Sequence, residues 1–197
     1  MMRLFNRRKS AEPVIVVSGL PRSGTSLMMQ MLRAGGVPLL TDDIRHADQH
    51  NPRGYYEYQP VKRLKQDGAD WMRSATGKAV KIVSPLLFYL PPDYDYRVIF
   101  MWRDVGEVVR SQAAMIAPRP MDSARAEAEY HAHLDKVRGW LAVQPHITTC
   151  TINHQDALRQ PSTVARRVAD FLARQLATGA MCSAVDPGLY RTRETRP

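Results

Sequence analysis

Pro13-Val-Ile-Val-Val-Ser-Gly-Leu-Pro-Arg-Ser-Gly-Thr-Ser-Leu-Met-Met-Gln-Met-Leu-Arg-Ala-Gly-Gly36 decides the fold. Residues 13–17 form a continuous apolar run rich in β-branched side chains, and Gly19 ends it. Such a run predicts a strand buried on both faces, and therefore a parallel one. Residues 24–34 set Leu27, Met28, Met31 and Leu32 at helical spacing, and Gly35-Gly36 stops the helix. Between strand and helix lies Ser18–Ser26. A glycine-rich loop in that context turns its amides, reinforced by the helix dipole, toward an anion. Gly24 permits close approach of the backbone, Thr25 and Ser26 supply hydroxyl donors, and Arg22 supplies a cation.

The same alternation continues along the chain. Ala79–Val83, Arg97–Trp102 and Ile147–Ile152 read as further strands. Helices are expected over 60–66, over 105–115 with Asp104 near its cap, and over 122–143 with Tyr130, Leu134, Val137 and Leu141 on one stripe. A last one starts near Pro161 with Val164, Val168, Phe171 and Leu172 inward. Strands alternating with helices predict an α/β domain: three layers, α/β/α, around a mainly parallel sheet. Residues 41–56 are polar and turn-rich, and a loop of that length in a compact domain is often functional. Residues 1–12 read as a flexible basic arm, and 13–197 as a single domain with no dividing linker.

The chain has 197 residues, 44% of them hydrophobic and 24% charged, which excludes global disorder. Its net charge of +9 fits either a solvated basic surface or a polyanionic partner. Specific nucleic-acid binding is disfavoured, because no reading motif and no aromatic-interleaved basic stripe is present. Cys150 and Cys182 stand apart without metal-ligand spacing, so neither a disulfide scaffold nor a metal is implied, and Cys150 reads as a core thiol. No apolar run approaches a membrane span and the N-terminus lacks an apolar signal core, so a cytoplasmic location is expected.

The spacing Gly19-x-x-x-x-Gly24 matches a Walker-A loop, yet Thr25 stands where a triphosphatase has lysine, and the cation has moved to Arg22. Gly19-Leu-Pro-Arg-Ser-Gly-Thr-Ser-Leu27 resembles the 5′-phosphosulfate loop of the P-loop sulfotransferases, especially the small bacterial and tyrosylprotein kinds. Arg97-Val-Ile-Phe-Met-Trp-Arg-Asp-Val-Gly-Glu-Val-Val-Arg-Ser111 resembles their 3′-phosphate motif, with Arg103 and Ser111 at the family's spacing. Asn51–Glu57, Lys81–Pro85 and Val185–Arg191 resemble further segments of the small bacterial members.

The resemblance implies 3′-phosphoadenosine 5′-phosphosulfate (PAPS) as co-substrate, with no metal. Arg22, Ser23, Gly24, Thr25, Ser26, Arg103 and Ser111 would bind this anionic nucleotide. Arg22 and Lys81 would stabilise charge on the departing oxygen. The acceptor, a small molecule, saccharide or peptide, needs a base. Val83 stands where cytosolic members carry their histidine, so Glu57 is the expected substitute, with His46 and His50 as alternatives in the same loop. Leu27 replaces the tryptophan that stacks adenine in those members; Arg191 and Arg193 are alternatives for covering the nucleotide. A nucleotide kinase or triphosphatase, and a relative that binds PAPS or its bisphosphate product without catalysis, remain as other readings.

Overall fold

The computed structural model describes residues 12–42, 44–49, 51–116, 122–186 and 188. Among these residues, four strands form one sheet: β1 (Val14–Gly19), β2 (Ala79–Lys81), β3 (Tyr96–Trp102) and β4 (Ile147–Asn153). Their order is β2-β1-β3-β4, and every pairing is parallel. All six residues of β1 are buried, as expected for a central strand with helices on both faces.

Alternation along the strands sorts the core into two layers. Val14, Val16, Val80, Val98 and Phe100 face one side. There they meet α2 (Gln59–Lys62), α3 (Leu64–Asp67), α4 (Met72–Ala75), a 3-10 turn (Ser84–Tyr89), α5 (Val105–Ile116) and α6 (Ser123–Ala142). Ile15, Val17, Ile99, Met101, Cys150 and Ile152 face the other. They meet α1 (Thr25–Ala34), α7 (His154–Arg159), α8 (Pro161–Leu172) and α9 (Thr178–Ser183). This is the three-layer α/β/α arrangement the sequence predicts.

Several local expectations shift. The helix over 60–66 is two short ones, divided at Arg63, whose φ of −106° and ψ of 11° leave the helical region. β2 ends at Lys81 rather than Val83: Ile82 still donates to the Val17 carbonyl (3.0 Å), but the 3-10 turn opens at Ser84-Pro85 and draws the chain away. In α1, Met29 is fully buried and Leu27 only partly. Phe171 is half-buried, beneath the Arg97 guanidinium 5.6 Å away. Asp104 caps α5, its Oδ1 accepting from the Glu107 amide at 2.9 Å.

The expected arm, residues 1–12, lies outside the described residues apart from Glu12, which pairs with Arg174 at 2.8 Å. His50, Arg191 and Arg193 also lie outside them. Among the described residues, no helix is long and apolar enough to cross a membrane.

Candidate active site

The register positions the site before any side chain is considered. Val17 stands opposite Lys81, Gly19 opposite Met101, and Trp102 opposite Asn153. The next residues after the strands, Leu20, Arg103 and His154, therefore gather at the carboxyl end of the sheet. The chain switches direction across the sheet between β1 and β3, and in open parallel sheets ligands bind at such a switch point.

The Ser18–Ser26 loop is built for close backbone approach. Gly19 has φ +146° and Gly24, the N-cap of α1, has φ +97°. A Cβ on Gly19 would lie 2.4 Å from Ser23 Oγ and 2.5 Å from the Met101 carbonyl oxygen. A Cβ on Gly24 would lie 2.4 Å from His154 Cδ2. Arg22 adopts φ +70°, which costs a non-glycine residue about 1–3 kcal/mol and marks a conformation fixed by its surroundings. Met28 donates to the Gly24 carbonyl at 3.1 Å. The earlier amides of α1 precede any intrahelical acceptor.

The Ser18–Ser26 loop and the Arg97–Ser111 block meet at Arg22. Its Nε donates to Ser111 Oγ (3.0 Å), and its carbonyl accepts from Arg103 Nη1 (2.8 Å). Arg103 is braced in turn: Nε pairs with Glu107 Oε2 at 2.9 Å, with the side chains only 7% and 2% exposed. Gln155 Nε2 donates to the other Glu107 oxygen at 3.2 Å. His154 is buried against Gly24; burial and then the Arg103 charge lower its pKa to about 4, so the ring is neutral.

The second half of the site is the 44–58 loop folded over β2. Lys81, 9% exposed, donates to the Tyr55 carbonyl and, at 3.4 Å, to Ser26 Oγ. Asn51 Nδ2 donates to the same Ser26 oxygen at 3.0 Å and to the Gly54 carbonyl at 2.6 Å. With its oxygen accepting both, Ser26 has its own hydrogen to donate. Burial, opposed by the Glu57 charge, lowers Lys81 to about 8. Glu57 pairs with Arg45 (2.8 Å) and Lys62 (3.0 Å). Burial raises its pKa, but the Lys62 contact and the Lys81 and Arg45 charges outweigh that, and the net shift is downward. The Arg45 guanidinium stacks 3.4 Å from the Tyr55 ring centroid, and Tyr55 donates its hydroxyl to Asp48.

Two hydrogen-bonded clusters thus meet at the loop, Arg22 with Arg103 and Ser111, and Ser26 with Lys81 and Asn51, with Ser23, Gly24 and Thr25 between them in sequence. Glu57 lies beside Lys81 but is held by other cations. His46 is exposed on the 44–58 loop. Sequence reading missed Glu107, Gln155 and His154. Glu107 carried a signal, its i,i+4 spacing from Arg103 on a helix start; the other two are brought in only by the β3–β4 register.

No protein-family model and no curated protein sequence matches the chain. Among solved structures, it is similar to the sulfotransferase domain of the Synechococcus PCC 7002 olefin synthase, with a TM-score of 0.53 and 17% identity over 92% of this chain and 86% of that one. A sulfotransferase from Alicyclobacillus acidocaldarius gives a TM-score of 0.48 and 15% identity, covering 83% and 82%. A sugar kinase from Janibacter sp. HTCC2649 gives 0.46 and 12%, covering 86% and 98%. The first likeness establishes a shared fold, an all-parallel sheet flanked by helices.

Proposed function

We propose that the chain is a sulfotransferase, moving a sulfuryl group in line from PAPS to a hydroxyl or amine. The observation that carries this reading is the convergence on Arg22: residues 81 and 89 positions away in sequence bond to it. The cradle suits a nucleotide anionic at two ends. Gly19 and Gly24 have no room for a Cβ, and the start of α1 offers amides for the 5′ end. Arg103 and Ser111 stand beside it for the 3′-phosphate.

The donor supplies an activated sulfuryl group whose departure leaves negative charge on the nucleotide. Arg22 and Lys81 meet that charge, and Lys81 is protonated for it below pH about 8. Ser26 donates its hydroxyl into the same space, oriented by Asn51 and Lys81. Glu57 is the proposed base. It is ionised through the neutral range, and it becomes basic enough to take an acceptor proton once the acceptor displaces Arg45 or Lys62.

The test is transfer of radiolabelled sulfuryl from PAPS to a panel of phenols, alcohols, saccharides and amines. The wild type should label at least one acceptor class. Lys81→Met and Glu57→Gln should each lower the rate by about 10²–10⁴-fold, the range of a single charge-stabilising or acid–base group. Label that never leaves the donor with any acceptor, or full activity in both variants, would overturn the assignment.

A further inference from the structure

The two edges of the sheet are treated differently. The β2 edge is covered: Leu40 donates to the Ala79 carbonyl and Ala79 to the Pro38 carbonyl, both at 2.8 Å. β4 pairs only with β3 among the described residues. Its phase can be read from one bond. Tyr96 stands opposite Ile147 and donates to the His146 carbonyl at 2.9 Å. In a parallel ladder that turns the even-numbered residues of β4 toward β3 and the backbone groups of Thr149 and Thr151 outward. Thr148, Thr149 and Thr151 are exposed. The edge Ile-Thr-Thr-Cys-Thr-Ile-Asn has no charge and no proline, the devices that normally blunt a free edge.

A cavity of about 460 Å³ runs along this edge, floored by Phe100, Trp102, Leu134, Val137 and Leu141. Thr149 and Thr151, whose backbone groups turn outward, also line it. Arginines flank the edge on both faces. Arg138, 70% exposed, lies over the Trp102 ring at 5.4 Å. Arg167, exposed on α8, bonds to Cys150 on the other face. One carboxylate, Asp135, stands 4.0 Å from Arg138.

We propose that the outer edge of β4 docks an extended segment of a partner protein in which apolar residues alternate with carboxylates, added to the sheet as a fifth strand. Main-chain bonds to Thr149 and Thr151 hold it in register. Apolar side chains on the α6 face fill the cavity beside Arg138, and the alternate side chains, the carboxylates, fall on the other face toward Arg167. A second copy of this chain fits less well, because two-fold pairing of β4 would turn these arginines toward their own copies in a chain of net charge +9.

The probe is a fluorescein-labelled acetyl-Glu-Val-Glu-Phe-Glu-Val-Glu amide, read by anisotropy against the full chain. Saturable binding is expected, weakened by roughly 10-fold or more in Thr151→Pro, which removes an outward donor without touching the β3 ladder. Arg167→Glu, an exposed change on α8, should weaken binding several-fold, and a lysine-for-glutamate peptide should not bind. The proposal is overturned by no saturation up to about 1 mM peptide, or by equal binding of the two peptides. It is also overturned by undiminished binding in both variants, or by a wild-type dimer in sedimentation that Thr151→Pro dissociates.

Discussion

Replacing Glu107 by Gln tests the brace behind the Ser18–Ser26 loop. Arg103 and Glu107 are almost wholly buried and joined at 2.9 Å, and Gln155 bonds to the second carboxylate oxygen. The glutamine is nearly isosteric, so no cavity forms; what changes is that a buried guanidinium faces a neutral amide. Removing one partner of a buried pair costs about 3–5 kcal/mol, and the retained amide places this case near 3. For a chain of this size that is a fall in Tm of about 6–12 °C. Urea denaturation should show the loss as a lower midpoint with unchanged slope. Because Arg103 also holds the Arg22 carbonyl, affinity for adenosine 3′,5′-bisphosphate should fall with it. The paired change Arg103→Met with Glu107→Leu should cost less stability than Glu107→Gln alone, since it removes both charges. A loss below about 1 kcal/mol in the single variant, with bisphosphate affinity intact, would refute the reasoning.

Three further outcomes follow from named groups. The transfer rate should fall as pH rises through about 8, where Lys81 loses its proton; Lys81→Arg should carry that fall above pH ~10, and an unmoved alkaline limb would remove Lys81 from the mechanism. His154 binds its proton near pH 4 in the fold and near 6.5 when unfolded, so the unfolded chain carries more protons between those values. Stability should therefore fall as pH drops through that window, by up to about 3 kcal/mol, and His154→Gln should flatten the pH dependence of urea midpoints; parallel curves would contradict it. Gly24→Ala and Gly36→Ala both force alanine to a positive φ, but only at Gly24 would the new methyl strike a side chain. Gly36→Ala should cost about 1 kcal/mol and leave bisphosphate binding unchanged, whereas Gly24→Ala should weaken binding at least ~10-fold; equal effects in titrations of the two would count against the cradle.

The strand, loop and helix over 13–36 were legible because each is coded locally, by a β-branched run, two glycines and a helical spacing of Met and Leu. The parallel sheet followed from repeated alternation. What escaped was whatever depends on register or distant contact. His154 reaches the loop only because Trp102 stands opposite Asn153. Asn51 has no local pattern that announces its bond to Ser26, 25 residues away. The break at Arg63 and the early end of β2 are boundary effects of turn geometry, which hydrophobic spacing does not encode. The sequence singles out Glu57 as the expected base, but its capture by Arg45 and Lys62, and its place beside Lys81, show only in the folded loop.

Calorimetric titration with adenosine 3′,5′-bisphosphate, set against ATP with and without magnesium, tests the central claim most directly. The account predicts metal-independent binding of the bisphosphate that Arg103→Ala and Ser111→Ala each weaken at least ~10-fold. Binding of magnesium-ATP in preference to the bisphosphate would contradict it and assign the loop to a nucleotide kinase or triphosphatase.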